Sequence, residues 1–256
     1  MTAEKTILIR FYEELNDFLP IEKRKKEFIH PLFGNPSIKD LIESLGVPHP
    51  EIDLILVNGQ SVDFTYRVQN GDRISVYPAF ELLNITPLLR LRPAPLRHSA
   101  FLLDINLGKL ARKLRLLGFD SLYRNDYDDP TIIRLAREQN RIILTRDIGL
   151  LKNSAVQRGY WVRSTQSNEQ ITEVVNKFDL LSAIKPFTLC LDCNGPIKPV
   201  TKEAVLKSLP QRTKASFEEF FQCHHCGKIY WPGSHYQRMQ RFIDRLKEQQ
   251  RGPARR

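Results

Sequence analysis

The chain opens with an alternating run, Thr6-Ile-Leu-Ile-Arg-Phe11, which reads as a half-buried strand. A basic, polar stretch follows, Glu22-Lys-Arg-Lys-Lys-Glu27. In Ser37-Ile-Lys-Asp-Leu-Ile-Glu-Ser-Leu45 the apolar positions are 38, 41, 42 and 45, which is helical spacing behind a serine cap. A strand is predicted at Leu54-Ile-Leu-Val57, then turns at Asn58-Gly59 and Asn70-Gly71-Asp72, then a strand at Arg73-Ile-Ser-Val-Tyr77. The order strand, strand, helix, strand, short segment, strand predicts a small β-grasp domain over residues 1–85, its helix covering one face of a mixed sheet. Residues 86–99 hold three prolines and three arginines and read as a stiff linker.

From residue 100 the period changes to that of an α/β unit, predicted over 100–186. Ala100-Phe-Leu-Leu103 is a short apolar strand ending at Asp104, and the helix behind it has apolar residues at 107, 110, 111, 114 and 117 and a stop at Gly118. Lys109, Arg112 and Lys113 share one side of that helix, with Arg115 also on its basic surface. Pro130 suits the first position of a second helix, with Asp129 as its cap; Asp128 stands next to it. The strand Arg141-Ile-Ile-Leu-Thr145 runs into Arg146 and Asp147, and a further helix and the strand Tyr160-Trp-Val-Arg163 complete the unit.

Charge is unevenly spread. Residues 1–85 carry 9 Lys/Arg against 13 Asp/Glu, net −4, whereas 187–256 carry 13 against 6, net +7, within a total of +10. The positive part is where a polyanion would be held. With 41% hydrophobic and 27% charged residues, the composition rules out wholesale disorder. No apolar run approaches the roughly 20 residues of a membrane helix, and no secretory pattern opens the chain. A cytoplasmic protein with no membrane partner is expected.

Candidate chemistry falls in two places. In a parallel sheet, ligands gather at the carboxyl ends of strands. Asp104 and Asp147 follow two strands, and Asp128-Asp129 opens a helix. Carboxylates brought together repel unless a cation lies between them, and hard oxygen ligands suit Mg²⁺ or Mn²⁺. The bland reading of each is a turn or cap residue. The second place is Cys190-Leu-Asp-Cys193 with Cys223-His-His-Cys226. Two Cys-x-x-Cys pairs in a cytoplasmic chain read as a closed, structural Zn²⁺ site of four thiolates. A glycine follows each pair and permits the knuckle turn, and His224 and His225 lie between ligands. Beyond them, Tyr236–Arg251 predicts a basic amphipathic helix with Met239, Phe242, Ile243 and Leu246 on one face. The aromatic run Tyr230-Trp-Pro-Gly-Ser-His-Tyr236 serves equally as a base-stacking surface or as a seal against the preceding α/β segment.

These motifs also carry resemblances. Leu56-Val-Asn-Gly59 and Asn70-Gly-Asp-Arg-Ile-Ser-Val-Tyr-Pro78 resemble the ubiquitin-like sulfur-carrier family. Members of that family end in Gly-Gly; here the matching stretch is Tyr77-Pro-Ala-Phe80 and the chain runs on, so a scaffolding or partner-recruiting module is expected. Phe101-Leu-Leu-Asp-x-Asn106, the segment Leu110 to Asp120, Asp129-x-x-Ile-Ile-x-Leu-Ala136 and Arg141-Ile-Ile-Leu-Thr-Arg-Asp147 resemble the PIN-like ribonucleases. More narrowly they resemble the Mut-seven C-terminal RNase domain, whose members carry a zinc ribbon and often a ubiquitin-like domain in front. The resemblance implies an α/β fold, namely a PIN-like parallel-sheet nuclease domain after a β-grasp domain and before a four-cysteine zinc ribbon (187–256). It also implies a ribonuclease with catalytic Mg²⁺ or Mn²⁺ held by Asp104, Asp129 and Asp147, with Asp128 as near neighbour. Asn106, Lys109, Arg112, Arg115 and Arg146 are the expected RNA contacts, tRNA being among the RNA substrates. Many PIN nucleases have a fourth acid past the Thr-x-Asp element; Ile148-Gly-Leu-Leu151 has none, so one or two metal ions remain open. The rival expectation is a non-catalytic RNA-binding adaptor.

Overall fold

The computed structural model describes residues 5–78, 91 and 100–251. The chain forms two compact units, one of Met1–His98 with Asp128–Trp161, the other of Ser99–Tyr127 with Val162–Arg256. Segment 100–186 thus contributes to both. The expected linker lies outside the described residues, except for Leu91, which packs against the β-grasp core.

The β-grasp segment follows the pattern of its sequence. Strands β1 (Thr6–Phe11), β2 (Phe28–Pro31), β3 (Ile52–Val57), β4 (Gln60–Ser61) and β5 (Arg73–Pro78) form one sheet in the order β2-β1-β5-β3-β4. The central pair β1 and β5 is parallel and the other pairings are antiparallel. Helix α1 (Ile38–Ser44) starts where the Ser37 hydroxyl accepts from the Asp40 amide at 3.1 Å. Its buried Ile38 and Ile42 pack on Ile7, Ile9, Ile55 and Ile74, the alternating inward residues of the strands. Asn58 and Gly59, both with positive φ, close a two-residue hairpin between β3 and β4. The same unit ties this segment to residues 128–161. His49 Nε2 donates to the Val156 carbonyl at 2.8 Å while Nδ1 meets Glu43 Oε1 at 2.6 Å. The Glu51 carboxylate accepts from the Trp161 amide, and the Phe18 and Trp161 rings lie 5.0 Å apart.

Segment 100–177 supplies β6 (Phe101–Leu103), α2 (Gly108–Leu116), β7 (Ser121–Leu122), α3 (Asp129–Glu138), β8 (Ile142–Thr145), α4 (Ile148–Leu151), β9 (Gly159–Trp161) and α5 (Ser167–Lys177). In one unit β6 pairs in parallel with β7 across α2; in the other, β8 pairs in parallel with β9 across α4. Every residue of β6 and β8 is buried, as parallel strands covered on both faces require. Helix α2 buries Leu110, Ala111, Leu114 and Leu117, the face its spacing predicts.

The third segment is a ribbon of β10 (Ile197–Val200), β11 (Phe220–Cys223) and β12 (Ile229–Tyr230), all antiparallel, with α6 (Lys202–Val205) and α7 (Gln211–Ser216) between β10 and β11 and α8 (Ser234–Arg251) after β12. Its own buried apolar cluster is Val205, Leu209 and Phe220, too small a core to hold the segment alone. Ile243 and Leu246 of α8 are buried, as the amphipathic pattern predicts.

Gly118 ends α2 at φ +90°, and a Cβ there would stand 2.1 Å from the Lys185 carbonyl oxygen. That carbonyl belongs to the strap that closes on the helix end, where Lys185 N–H reaches Leu117 O at 2.9 Å and Phe187 N–H reaches Leu116 O at 3.1 Å. Gly118→Ala therefore meets both a disfavoured φ and backbone, and should cost about 3 kcal/mol of stability. A chemical denaturation midpoint equal to that of the parent would contradict this.

Candidate functional site

Three of the four predicted acids are helix caps. Asp104 follows β6 and accepts from the Ile105 amide at 2.5 Å, opening a 3₁₀ turn over Ile105–Leu107. Asp147 follows β8 and accepts from the Gly149 amide at 2.7 Å, opening α4. Asp128 accepts from the Thr131 amide at 3.0 Å. The hydrogen bond from Thr131 holds the Asp128 carboxyl below the usual carboxylate range. The cap of α3 is thus Asp128, not Asp129 as expected, and Pro130 stands one position further into the helix. The chain starts its turn one residue earlier, so Asp129 is an exposed first-turn residue whose cleft, about 840 Å³, is also lined by Arg134 and Arg137. Those two arginines went unnoticed in the sequence because they stand on the outer face of α3. Asp104 lies in one compact unit, and Asp128, Asp129 and Asp147 lie in the other.

The predicted RNA contacts divide. Asn106 and Lys109 are exposed and Arg146 is half-buried. Arg112 is exposed and pairs with Asp192 at 3.2 Å. Arg115 is a correction: only 2% of it is exposed. Its Nε donates to the Ser121 carbonyl at 2.9 Å, and its Nη1 donates to the Leu191 and Asp192 carbonyls at 3.1 and 2.8 Å. A guanidinium this buried, with Nε and Nη1 bonded to three backbone carbonyls, is out of reach of a phosphate in solvent. Helical spacing put it on the basic side, but residues 191 and 192 of the ribbon segment lie over it.

The four cysteines converge as predicted. Among the described residues they are the group whose ligand atoms all lie within 4.8 Å of one another. Cys190 Sγ is 3.6 Å from Cys226 Sγ, and Cys193 Sγ is 3.3 Å from Cys223 Sγ. Cys190 and Cys223 are buried, while Cys193 and Cys226 face outward with His224 and His225. The second knuckle turns at Gly227, φ +74°, and its His225 amide approaches Cys223 Sγ at 3.4 Å. In the first knuckle Asn194 makes the turn, at φ +67°. Gly195 serves instead as space, because a Cβ there would stand 2.7 Å from the His225 ring.

Electrostatics around the thiols is divided. Burial pushes Cys190 up, but hydrogen bonds from the Tyr230 hydroxyl (3.1 Å) and from backbone amides outweigh it and draw the thiol down to about 7. Desolvation of its sulfur, with the thiols of Cys223, Cys226 and Cys190 adding to it, pushes Cys193 up. A divalent cation among the four sulfurs would offset repulsion between thiolates, and the soft four-sulfur donor set fits zinc. Arg115, its pKa lowered by burial, is the cationic neighbour of Cys190 and Cys193.

Comparison with known families settles the lineage. Residues 99–243 match the model of the Mut7-C RNAse domain, and residues 4–84 match that of the Mut7-C ubiquitin domain. The chain belongs to the Mut7-C RNAse domain family. No curated protein and no solved structure matches it. For this Mut7-C protein the fold class is therefore as the sequence indicated: a ubiquitin-like β-grasp domain, a parallel-stranded α/β RNase domain and a C-terminal cysteine ribbon. The match to the RNase model spans the cysteine ribbon and ends inside α8.

Arg115→Met keeps the length of the stem and removes the charge beside the thiols. It should weaken zinc binding roughly 10- to 100-fold, as losses of second-layer partners do. Competition with a chromogenic chelator measures this; an unchanged zinc affinity would mean that Arg115 only braces the loop.

Proposed function

We propose that this Mut7-C protein is a metal-dependent ribonuclease that hydrolyses phosphodiester bonds in RNA, with single-stranded RNA ends and tRNA as its substrates. The observation that carries this reading is the match of the RNase family model over residues 99–243. Three helix-capping aspartates support it. A carboxylate that bonds the next turn through one oxygen is held in a fixed direction, and two of these, Asp104 and Asp147, directly follow parallel strands.

In this reading Asp104, Asp129 and Asp147 hold Mg²⁺ or Mn²⁺, and Asp128 stays with the helix as a neighbour that fixes its start. The ion would supply Lewis acidity toward the scissile phosphate. Lys109, Arg112 and Asn106, exposed on and beside α2, meet the RNA backbone, as does Arg146. The ribbon holds structural zinc, and the protein works in the cytoplasm; no helix among the described residues is long and apolar enough to cross a membrane. The β-grasp domain recruits a protein partner. Its exposed Leu8 and Ile29, opposite each other on β1 and β2, and exposed Phe33 support that role.

One observation favours the adaptor alternative. Among the described residues, the cysteines and not the aspartates form the close group of candidate ligands. Incubating labelled RNA with the purified protein in Mn²⁺ and then in EDTA separates the two. Cleavage in Mn²⁺ is expected, with Asp147→Asn and Asp104→Asn each at least about a hundred-fold slower and RNA affinity nearly unchanged. Tight binding with no products at any metal concentration would leave an adaptor.

A further inference from the structure

Beside the thiol cluster, and within the same compact unit, a cleft of about 670 Å³ opens between β12, the loop entering the first knuckle and the first turns of α8. Its size is that of a ligand cleft, and aromatic rings line it: Phe187, Tyr230, Trp231 and Tyr236. Phe187 adopts φ +61°, a left-handed backbone that bulky residues rarely accept. Its amide bonds to Leu116 O at 3.1 Å, and its ring lies 4.3 Å from that of Tyr236 at an interplanar angle of 31°. Trp231 is half-buried, and its indole N–H finds no acceptor among the described residues. Gly233 leaves room for this indole, since a Cβ there would come within 3.0 Å of Trp231 Nε1.

Arg112 and Lys228 both line the cleft and both pair with the carboxylate of Asp192, and Glu219 is the acid of the lining, so the rim itself is close to neutral. Helix α8 lines the cleft with His235, Tyr236 and Met239, and a neighbouring face of the same helix exposes Arg238, Arg241 and Arg245 against Asp244 and Glu248. Stacking rings beside a cationic track is how proteins hold single-stranded nucleic acid irrespective of sequence. An apolar peptide would use the rings but not the arginines carried by the same helix.

We propose that this cleft takes up unpaired bases of a single-stranded RNA, stacked on Tyr236 and Trp231, while the phosphates follow the arginines of α8. The proposal rests on the ribonuclease reading only for the identity of the polymer. It makes the ribbon an RNA-holding platform as well as a stapled fold.

The test compares two labelled strands of equal length and charge, one an unstructured RNA and the other abasic throughout. Each is titrated by fluorescence anisotropy with no divalent metal added. The full RNA should bind about ten-fold tighter than the abasic strand. Tyr236→Ala should remove most of that margin without changing abasic affinity, and Tyr236→Phe should keep it. Should Tyr236→Ala lose its zinc, the Trp161→Phe protein, in which Trp231 is the remaining tryptophan, gives a second reading: RNA should quench its emission and the abasic strand should not. Equal affinity for the two strands, or no quenching, overturns the proposal and leaves the cleft to a polypeptide. Cleavage in Mn²⁺ is scored separately: products without a base-dependent margin would remove the platform and keep the nuclease, and the reverse result would do the opposite.

Discussion

A buried guanidinium joins two parts of the Mut7-C RNAse domain that the sequence separates by some seventy residues. Arg115 on α2 bonds the carbonyls of Ser121, Leu191 and Asp192 and lies beside the thiols of Cys190 and Cys193. Burying a charge costs far more than any one hydrogen bond returns unless opposite charge and full hydrogen bonding accompany it. The knuckle supplies the hydrogen bonds, and with zinc bound its four thiolates would carry the opposite net charge, so that metal and arginine would each reduce the desolvation cost of the other. Asn194 extends the joint: its side chain accepts from the Ser121 amide at 2.9 Å and donates to Asp120 at 2.6 Å. The ribbon therefore takes its position from α2 and β7, and the aromatic cleft next to it inherits that position.

The aspartates obey a different logic. Asp104, Asp128 and Asp147 each cap a turn, and a cap is a sufficient reason for an acid at the start of a helix. Capping does not by itself speak against metal binding, because the cap uses one of a carboxylate's two oxygens. The cysteines have no role in helix capping, and four thiols whose ligand atoms lie within 4.8 Å of one another could hold a metal ion.

The sequence was most readable where one period or one turn chemistry decided the outcome. The β1 alternation, the Ser37 cap, the Asn58-Gly59 hairpin and the buried face of α2 all stand where their patterns predict, because each depends on neighbours within a few residues. The failures are those of partners far away in the chain. Arg115 reads as a surface cation until residues 191 and 192 arrive over it. The expected N-cap at Asp129 fails by one residue because both aspartates can cap, and only the fold of the preceding loop chooses. Gly195 reads as a turn residue but is needed for the room it gives His225, which lies thirty residues on. Helices α6 and α7 went unread because their stretch of the ribbon has no strong apolar period.

The ubiquitin-like β-grasp domain, whose β5 ends in Tyr77-Pro78 with the chain continuing, has two different sides. One side, through Glu43, His49 and Glu51, is bonded to Val156, Lys152 and Trp161. Glu51 occupies the amide of Trp161 in β9, a backbone donor that an open strand would offer to another chain, so this contact also guards against edge-to-edge association. The far edge is β2, where Ile29 pairs across to Leu8 and both are exposed. A domain tied down on one side and apolar on the other is suited to holding a partner at a fixed place on the RNase chain, which a flexibly tethered module would not do.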